Sequence, residues 1–276
     1  MEPLQQALER FKQQGGGGST GRSAAPLLTK VPLPIVYSKT RVVECPEDLL
    51  RQQRIIAAFD QGPFVEGYKL LRTQVLHRLR ENRWNVLGVT SPNEREGKTL
   101  TAINLSVSLA METNQTVLLI DADLRKPSVH RLFGIDRPKG LADVLLDEEA
   151  LENVLIHPGI GRFVFLPGGR PIPRSAEALT SPRMASLVED LKHRYQSRIV
   201  VFDLPPVLTS ADVLAFGPFL DALLLVTGEG MTRRHDIEEV IVRLKGAVSI
   251  LGTVLNQARR SDDTPIPFRR AHQKER

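Results

Sequence analysis

The chain has 276 residues, with 37 lysine and arginine and 32 aspartate and glutamate side chains, a formal net charge of +5. Residues 61–258 hold 23 of each sign, so the surplus lies in residues 1–60 and 259–276. A central segment without net charge argues against a domain that grips nucleic acid through its phosphates. A single cysteine, Cys45, excludes an intrachain disulfide and a cysteine-based metal site.

The apolar runs are of strand length, too short to span a bilayer, and the first residues lack the basic and apolar regions of a secretory signal. We therefore expect a cytoplasmic protein whose contact with a membrane is indirect.

The first 60 residues predict a short amphipathic helix and a linker. Leu4, Leu8 and Phe11 fall on one face of a helix within residues 1–14. This helix is either a docking peptide or a frayed end of the chain. The glycine- and proline-rich residues 15–60 favour a disordered or weakly ordered linker, and residues 259–276 a basic flexible tail.

Strand and helix patterns alternate through residues 61–258. Continuous apolar strands separated by amphipathic helices are typical of a parallel sheet that is covered on both faces. We therefore predict one α/β domain with a doubly wound, mostly parallel sheet. The predicted strands are 85–90, 116–121, 162–166, 198–203, 221–227 and 250–256, and the predicted helices are 66–81, 98–113, 127–133, 141–155, 175–195, 210–217 and 231–246.

The first predicted strand leads into a loop that ends in Gly97-Lys98-Thr99, directly before a helix. Backbone N–H groups and the helix dipole can hold phosphates there, Lys98 can reach the terminal phosphates, and the Thr99 hydroxyl can ligate Mg²⁺. The match is partial, because the full pattern has glycine where this chain has Pro92. The alternative is an ordinary charged loop.

Carboxylates follow two further strands, where ligands of such sheets bind. Asp121 and Asp123, with Arg125, follow one strand, and Asp203 follows another. A carboxylate at the end of a buried strand loses its hydration unless a cation or a donor meets it. Mg²⁺ held by Thr99 and Asp203 on a nucleotide would meet that need. The alternative for each aspartate alone is helix capping.

These three segments resemble those of the bacterial tyrosine kinases that accompany capsule and exopolysaccharide synthesis, a branch of the P-loop ATPases. The resemblance covers about residues 48–258. It implies a P-loop NTPase fold, ATP and Mg²⁺ as cofactors, and a catalytic role for the aspartates. The implied assignments are catalytic Lys98, Asp121, Asp123, Arg125 and Asp203, nucleotide contacts from Glu96, Gly97, Lys98, Thr99, Leu100 and Asn256, and metal ligands Thr99, Asp121 and Asp203.

The same family uses Glu-x-x-Arg/Lys-x-x-Arg for contacts in a ring of subunits, and Glu66, Lys69 and Arg72 have this spacing. The resemblance therefore implies a homo-oligomer, with a solvated charged stripe as the alternative. It also implies a partner, a chain-length determinant membrane protein that would recruit this chain to the inner face of the cytoplasmic membrane. No nucleic acid partner is expected.

The chain departs from the family in its phosphate loop and in its tyrosines. Family loops commonly have Pro-Gly where this chain has Glu94-Arg95, and we expect the Glu94 and Glu96 side chains to point to solvent. Family kinases usually end in a tyrosine cluster, whereas the tyrosines here are Tyr37, Tyr68 and Tyr195. Tail autophosphorylation is therefore not expected, which leaves another acceptor or an ATP-dependent switch.

The favoured hypothesis is an ATP-dependent protein-tyrosine kinase, or a kinase-like regulator, of exopolysaccharide chain-length control and export. Asp121 or Asp123 would orient or deprotonate the attacking hydroxyl, and Arg125 would support that geometry. The alternative is a partitioning or positioning ATPase of the ParA and MinD kind. Those loops have a lysine where this chain has Asn93. A third hypothesis is a structural adaptor with a decayed nucleotide site.

Overall fold

The computed structural model describes residues 40–59, 61–62, 64–112, 115–194 and 198–258. The predicted helix in residues 1–14, most of the linker and the tail 259–276 lie outside the described residues, as do Tyr37 and Tyr195.

The described residues form an eight-stranded sheet in the order β1-β4-β5-β3-β6-β2-β7-β8. All neighbouring strands are parallel except β4 and β5, so the predicted mostly parallel, doubly wound sheet is confirmed. The strands are β1 (Arg41–Val42), β2 (Val86–Thr90), β3 (Thr116–Asp121), β4 (Ile156–His157), β5 (Phe163–Leu166), β6 (Arg198–Asp203), β7 (Ala222–Gly228) and β8 (Ile250–Asn256).

Helices connect the strands and cover both faces of the sheet. Consecutive residues of one strand alternate between two hydrophobic clusters: Leu118 and Ile120 belong to one, Val117 and Leu119 to the other. The helices are α1 (Glu47–Gln52), α2 (Val65–Asn82), α3 (Lys98–Ala110), α4 (Val129–Leu132), α5 (Leu141–Leu146), α6 (Leu151–Val154), α7 (Ser175–Leu179), α8 (Pro182–Arg194), α9 (Asp212–Phe216) and α10 (Arg234–Leu244), with 3₁₀ turns at Ile56–Ala58 and Gly217–Phe219.

Two of the predicted helices are each divided in the structure. The predicted helix 141–155 consists of α5 and α6, because Glu148 between them has a left-handed backbone (φ 58°) that no α-helix continues. The predicted helix 175–195 consists of α7 and α8, and Pro182 starts the second of them, since proline is favoured at the first position of a helix.

Residues 40–59 belong to the folded domain, so the linker predicted over 15–60 is wrong for this part. β1 pairs with β4 at the edge of the sheet, and Leu50 and Ile55 are buried in the core. The Asn104 side chain fixes the segment, since it accepts a hydrogen bond from the Ala57 N–H (2.9 Å) and donates one to the Arg54 carbonyl (3.0 Å). Elements this short give no periodic signal.

Candidate functional site

The three predicted motifs meet at one edge of the sheet, because β3, β6 and β2 are neighbours and run in the same direction. Asp121 and Asp203 end β3 and β6, and their Cα atoms are in register. Asp203 is in turn paired with Val89, which lies just before the phosphate-loop candidate. The topology therefore brings the Gly-Lys-Thr loop and both carboxylates together, as predicted.

Gly97 ends the loop and precedes the first residue of α3 with a left-handed backbone, φ +89°. A Cβ atom there would lie 2.0 Å from Nδ2 of Asn256, so the close approach also requires glycine. The Asn256 amide donates a hydrogen bond to the Glu96 carbonyl (2.9 Å). Asn256, predicted to contact the nucleotide, is thus placed against the outside of the loop and holds its shape.

Arg95 also has a left-handed backbone, φ +66°, at the position where the family commonly has glycine. The Gln257 side chain supports this conformation by donating to the Arg95 carbonyl (2.9 Å). The neighbouring Glu94 is exposed, as predicted, and pairs with Lys126 at 2.6 Å. The non-glycine residue at 95 therefore introduces local backbone strain beside the site.

The Glu96 carboxylate is buried, so the expectation that it points to solvent is wrong. It accepts hydrogen bonds from the Asn93 N–H (2.8 Å) and from the Thr232 hydroxyl. These contacts satisfy the buried charge and connect the loop to the segment before α10. Glu96 therefore shapes the loop through its side chain and does not present that charge to a phosphate.

Lys98 lies in the first turn of α3, where its ammonium is surrounded by carboxylates. Its Nζ donates to Asp123 Oδ2 (2.9 Å) and lies 3.3 Å from the Thr99 hydroxyl oxygen. Burial lowers the pKa of Lys98, but Asp203, Asp123 and Asp121 raise it by more, so the pKa lies above its ordinary value. Lys98 is therefore a fixed cation at the helix amino terminus.

Asp121 has one oxygen engaged and one without a partner. Its Oδ2 accepts hydrogen bonds from the backbone N–H groups of Ser128 (2.8 Å) and Val129 (3.0 Å), which is the predicted helix-capping arrangement. No donor in the described part of the chain reaches its buried Oδ1. Burial and the charge of Asp203 raise the pKa of Asp121 to about 8, although the two N–H groups lower it.

Asp203 is fully buried, and within the described ranges neither of its oxygens has a hydrogen-bond partner of good geometry. Burial raises the pKa of Asp203 to about 6, while Lys98 and then the nearby Thr99 hydroxyl lower it. A buried carboxylate without a donor is costly unless a cation meets it. Helix capping therefore explains the hydrogen bonds of one Asp121 oxygen, Oδ2, and explains neither oxygen of Asp203.

These orphaned oxygens fit a magnesium ion. Mg²⁺ in nucleotide sites takes one or two protein oxygens and completes its shell with phosphates and water. Asp203, Asp121 Oδ1 and the Thr99 hydroxyl offer oxygens of that kind beside a buried lysine. Among the described residues, no cluster of three or more acidic, histidine or cysteine side chains is arranged to hold a metal ion.

Arg125 lies on the same loop as Asp121 and Asp123, but its guanidinium binds elsewhere. Its Nε donates to the Ser175 hydroxyl (2.9 Å), and Nη2 lies 3.5 Å from Asp212 Oδ1. Neither partner could be predicted from the sequence, because both are distant in the chain. Arg125 is therefore tied to the wall of the site.

A cavity of about 670 Å³ opens over this edge of the sheet. Six of the predicted site residues line this cavity: Gly97, Lys98, Thr99, Leu100, Asp123 and Arg125. Sequence reasoning missed its remaining walls, since side chains that simply line a cavity carry no motif. These are Lys126, Ser128, Arg131, Leu132, Pro205, Pro206, Thr209 and Ser210, whereas Glu94 and Arg95 were already noted in the phosphate loop.

The predicted contact residues on α2 do not behave as one set. Glu66 and Lys69 form an exposed pair at 2.8 Å. Arg72 is mostly buried, and it donates to the Ser108 carbonyl (3.2 Å) and pairs with Glu112 (3.2 Å). Only Glu66 and Lys69 therefore remain on the surface for a subunit contact.

The parallel sheet and the lysine at the start of α3, beside two strand-end carboxylates, define a protein of the P-loop nucleotide-binding class. No protein-family model matches the chain. The tyrosine-protein kinase YwqD of Bacillus subtilis is 32% identical over 209 residues, which cover 75% of this chain and 87% of YwqD. The chain therefore belongs to the family of bacterial tyrosine-protein kinases.

Other relatives are much longer than the matched segment. The tyrosine-protein kinase Etk of Escherichia coli K12 is 33% identical over 193 residues, 70% of this chain. The match covers 26% of Etk, so this chain spans about a quarter of that relative. No helix in the described part of the chain is both long enough and apolar enough to cross a membrane.

Solved structures agree with the family and rank the alternative lower. The kinase domain of E. coli ETK superposes with a TM-score of 0.70 at 29% identity, covering 83% of this chain and 92% of that domain. The septum site-determining protein MinD of Pyrococcus horikoshii, solved with Mg-ADP, gives 0.54 at 25% identity and covers 66% of this chain and 74% of MinD. Both share the fold, and the kinase domain shares more of it.

Proposed function

We propose that this chain is an ATP-dependent protein-tyrosine kinase. The observation that carries the proposal is the placement of Lys98 and Asp123, in contact at 2.9 Å, beside the in-register pair Asp121 and Asp203. Three carboxylates around one lysine leave oxygens without donors, which is the arrangement a magnesium-bound polyphosphate completes.

Mg²⁺–ATP would supply the transferable phosphoryl group at this site. Gly97 and the first turn of α3 would hold the phosphates through their N–H groups, and Lys98 would balance the charge on the terminal phosphates. Thr99, Asp121 and Asp203 would hold the metal, directly or through water. Glu96 and Asn256 support the loop from behind through their contacts with Asn93 and with the loop backbone.

The reaction forms a bond from the tyrosine oxygen to the γ-phosphorus and breaks the bond from that phosphorus to the β–γ bridging oxygen. The tyrosine proton passes to a carboxylate. Asp123 suits this role because it lines the cavity, whereas Asp121 is fully buried and tied to the start of α4. When Lys98 turns to the phosphates, Asp123 loses that ion pair and is available as the base.

The acceptor tyrosine lies on another protein. Tyr68 is half-buried on α2, and burial raises the pKa of its hydroxyl, although the nearby Thr101 hydroxyl lowers it. This environment disfavours an attacking phenolate. Tyr37 and Tyr195 lie outside the described residues, and Tyr37→Phe tests the former directly.

We place the kinase in control of exopolysaccharide chain length and export, in the cytoplasm and recruited to the inner face of the membrane by a chain-length determinant protein. The support is the family and the basic surplus in residues 1–60 and 259–276, which would lie well beside an anionic leaflet. We further propose a homo-oligomer that uses the exposed Glu66 and Lys69. Co-purification of this chain with a co-expressed chain-length determinant protein tests the proposed partner and membrane recruitment.

The decisive experiment for the activity is incubation of the purified chain with γ-labelled ATP, Mg²⁺ and a tyrosine-containing acceptor, read out as phosphotyrosine. We expect labelled phosphotyrosine from the parent and from Tyr37→Phe, and none from Lys98→Met. Labelled inorganic phosphate without any phosphotyrosine contradicts the proposal.

That outcome would favour the alternative, a MinD-like switch. The structure offers a specific observation on it: Asn93, at the position where such switches have lysine, donates through its amide to Asp236 (3.1 Å). An uncharged side chain engaged with its own domain cannot supply a cation to a second subunit's phosphates. This contact supports the kinase over the switch.

A further inference from the structure

One buried carboxylate near the site takes no part in the proposed reaction. Asp212 begins α9 and is fully buried, with Arg125 as its salt-bridge partner at 3.5 Å. Its second oxygen, Oδ2, has no hydrogen-bond partner in the ranges that the structure describes. The contact is long and the Arg125 side chain is partly exposed, but separating the two would leave the buried Asp212 charge uncompensated, which favours the pair.

Arg125 in turn is fixed from two sides. Its Nε donates to the hydroxyl of Ser175, which is buried at the start of α7, while Nη2 meets Asp212. Arg125 follows Asp123 by two residues on the loop after β3. The guanidinium therefore anchors the loop that carries the proposed base to two other segments.

The loop after β6, residues 204–211, is the second partner. It leads from Asp203 to Asp212, and its Thr209 and Ser210 line the cavity. The backbone N–H groups of Val207 and Leu208 donate to the carbonyls of Ser91 (2.9 Å) and Pro92 (3.1 Å), at the start of the phosphate loop. The Asp212–Arg125 pair thus joins the loop after β3 to a loop that already touches the phosphate loop.

We infer that Asp212 is a positioning residue that, through Arg125 and with Ser175, locks the loops after β3 and β6 together so that Asp123 stays in place. The need arises because Asp123 has two contacts, the Lys98 ammonium (2.9 Å) and the backbone N–H of Lys126 in its own loop (3.2 Å). The first is lost when Lys98 turns to a phosphate, and the second ties Asp123 only to the loop, so the loop itself must be held. The structural link does not depend on the proposed function, whereas its effect on turnover rests on it.

Two measurements on the full chain test the link, both with Asp212→Asn and with Ser175→Ala. The first is amide hydrogen exchange of residues 122–128 and 204–211 with Mg-ADP present, because exchange reports local opening. The second is phosphotyrosine formation against ATP concentration. The matched control is Asp221→Asn, which makes the same change in another aspartate–cation pair, that of Asp221 with Lys192 (2.9 Å). Asp221 lies directly before β7, at the end of the sheet opposite the site.

We expect faster exchange in both segments for both variants and no change for Asp221→Asn. The turnover number should fall roughly 10-fold to 100-fold, with the KM for ATP within about twofold, as for a displaced catalytic group. Exchange equal to the parent, or faster exchange in one segment alone, overturns the inference. If Asp212→Asn does not fold, Ser175→Ala decides, since it leaves the buried charge intact. If both variants exchange faster than the parent in the two segments but the parent forms no phosphotyrosine, the kinase proposal is wrong and the link between the loops still stands.

Discussion

Asp121 and Asp203 stand side by side at the ends of β3 and β6, and three of their four oxygens lack a hydrogen-bond donor within the described residues. Two buried carboxylates on neighbouring strands, in register, repel one another unless one is protonated or a cation lies between them. The domain therefore folds with two carboxylates that cannot both be charged without a cost in stability, a cost that a bound metal ion would relieve. Four measurable properties test this pair, the loop and base beside it, and the surface of α2.

The first property is the pH dependence of stability without nucleotide. The pKa of Asp121 rises from 3.8 to about 8 on folding, so the folded chain binds the proton more tightly than the unfolded chain. The stability that the folded chain gains from this tighter proton binding is fully present below about pH 4 and is lost as the pH rises through about 8. We expect the melting temperature to fall between pH 5.5 and 8.5, and to fall less in Asp121→Asn, measured by calorimetry. A parent and variant with parallel pH profiles would contradict the assignment.

The second property is backbone strain at Arg95, where φ is +66°. A non-glycine residue with a left-handed backbone lowers the free energy of unfolding by about 1–2 kcal/mol. Glycine removes that strain, but its greater entropy in the unfolded chain lowers the free energy of unfolding by about 0.5–1 kcal/mol. Arg95→Gly should therefore raise stability by about 0.5–1 kcal/mol, or a melting shift of about 2–4 °C per kcal/mol for a domain of this size.

Arg83→Gly is the matched control, since Arg83 follows the last residue of α2 with φ 58° and precedes β2, at the opposite end of that strand from the phosphate loop. It should stabilise by a similar amount. Arg95→Val should do the opposite, because β-branched residues tolerate this region least. A glycine variant at 95 less stable than the parent would show that the loop is unstrained.

The third property is the role of Asp123 in turnover. General-base catalysis contributes about 10²–10⁴-fold, so Asp123→Asn should lower the turnover number by about that factor. ATP binding should persist, because Lys98 is freed from its ion pair and can still reach the phosphates. Steady-state kinetics together with direct ATP titration separates the two effects. An unchanged turnover number would move the base elsewhere, with Asp121 as the next candidate.

The fourth property is the division of labour on α2. Glu66→Ala with Lys69→Ala should leave the melting temperature nearly unchanged, because exposed ion pairs contribute about 0–1 kcal/mol. The same double variant should elute later in gel filtration if this face joins subunits. Arg72→Ala should cost about 1.5–3 kcal/mol, since it removes charged hydrogen bonds to Ser108 and Glu112.

Glu238→Ala, which breaks another exposed helix pair with Arg234, is the control for elution. An elution volume equal to that of the parent for the Glu66 and Lys69 double variant would remove this face from the proposed oligomer.

The sequence predicted the structural elements that are formed by residues next to one another in the chain. It predicted only some of the contacts between residues that the fold brings together. The continuous apolar runs 117–120 and 199–202 placed β3 and β6 at their observed bounds, because each run of four residues has a polar residue before it and an aspartate after it. Parallel strands then required Asp121 and Asp203 to share an edge. β1 and β4 were missed because two-residue strands carry no period.

Contacts between distant segments left no trace in the sequence. The Arg125 contacts with Ser175 and Asp212 span 50 and 87 residues. Glu96 was misjudged because its burial depends on Thr232, 136 residues away. A carboxylate in a phosphate loop predicts exposure only when no donor from another loop reaches it.

The central claim is that Lys98 and the Asp121–Asp203 pair together hold a magnesium-bound nucleotide. Calorimetric titration with a non-hydrolysable ATP analogue at pH 7, with and without Mg²⁺ and in two buffers of different ionisation enthalpy, measures both affinity and protons exchanged. We expect Mg²⁺-dependent binding with net proton release in the parent, less proton release in Asp121→Asn, and loss of most affinity in Lys98→Met. Equal affinity of the parent and Lys98→Met, or binding that ignores Mg²⁺ and releases no protons, would contradict the account.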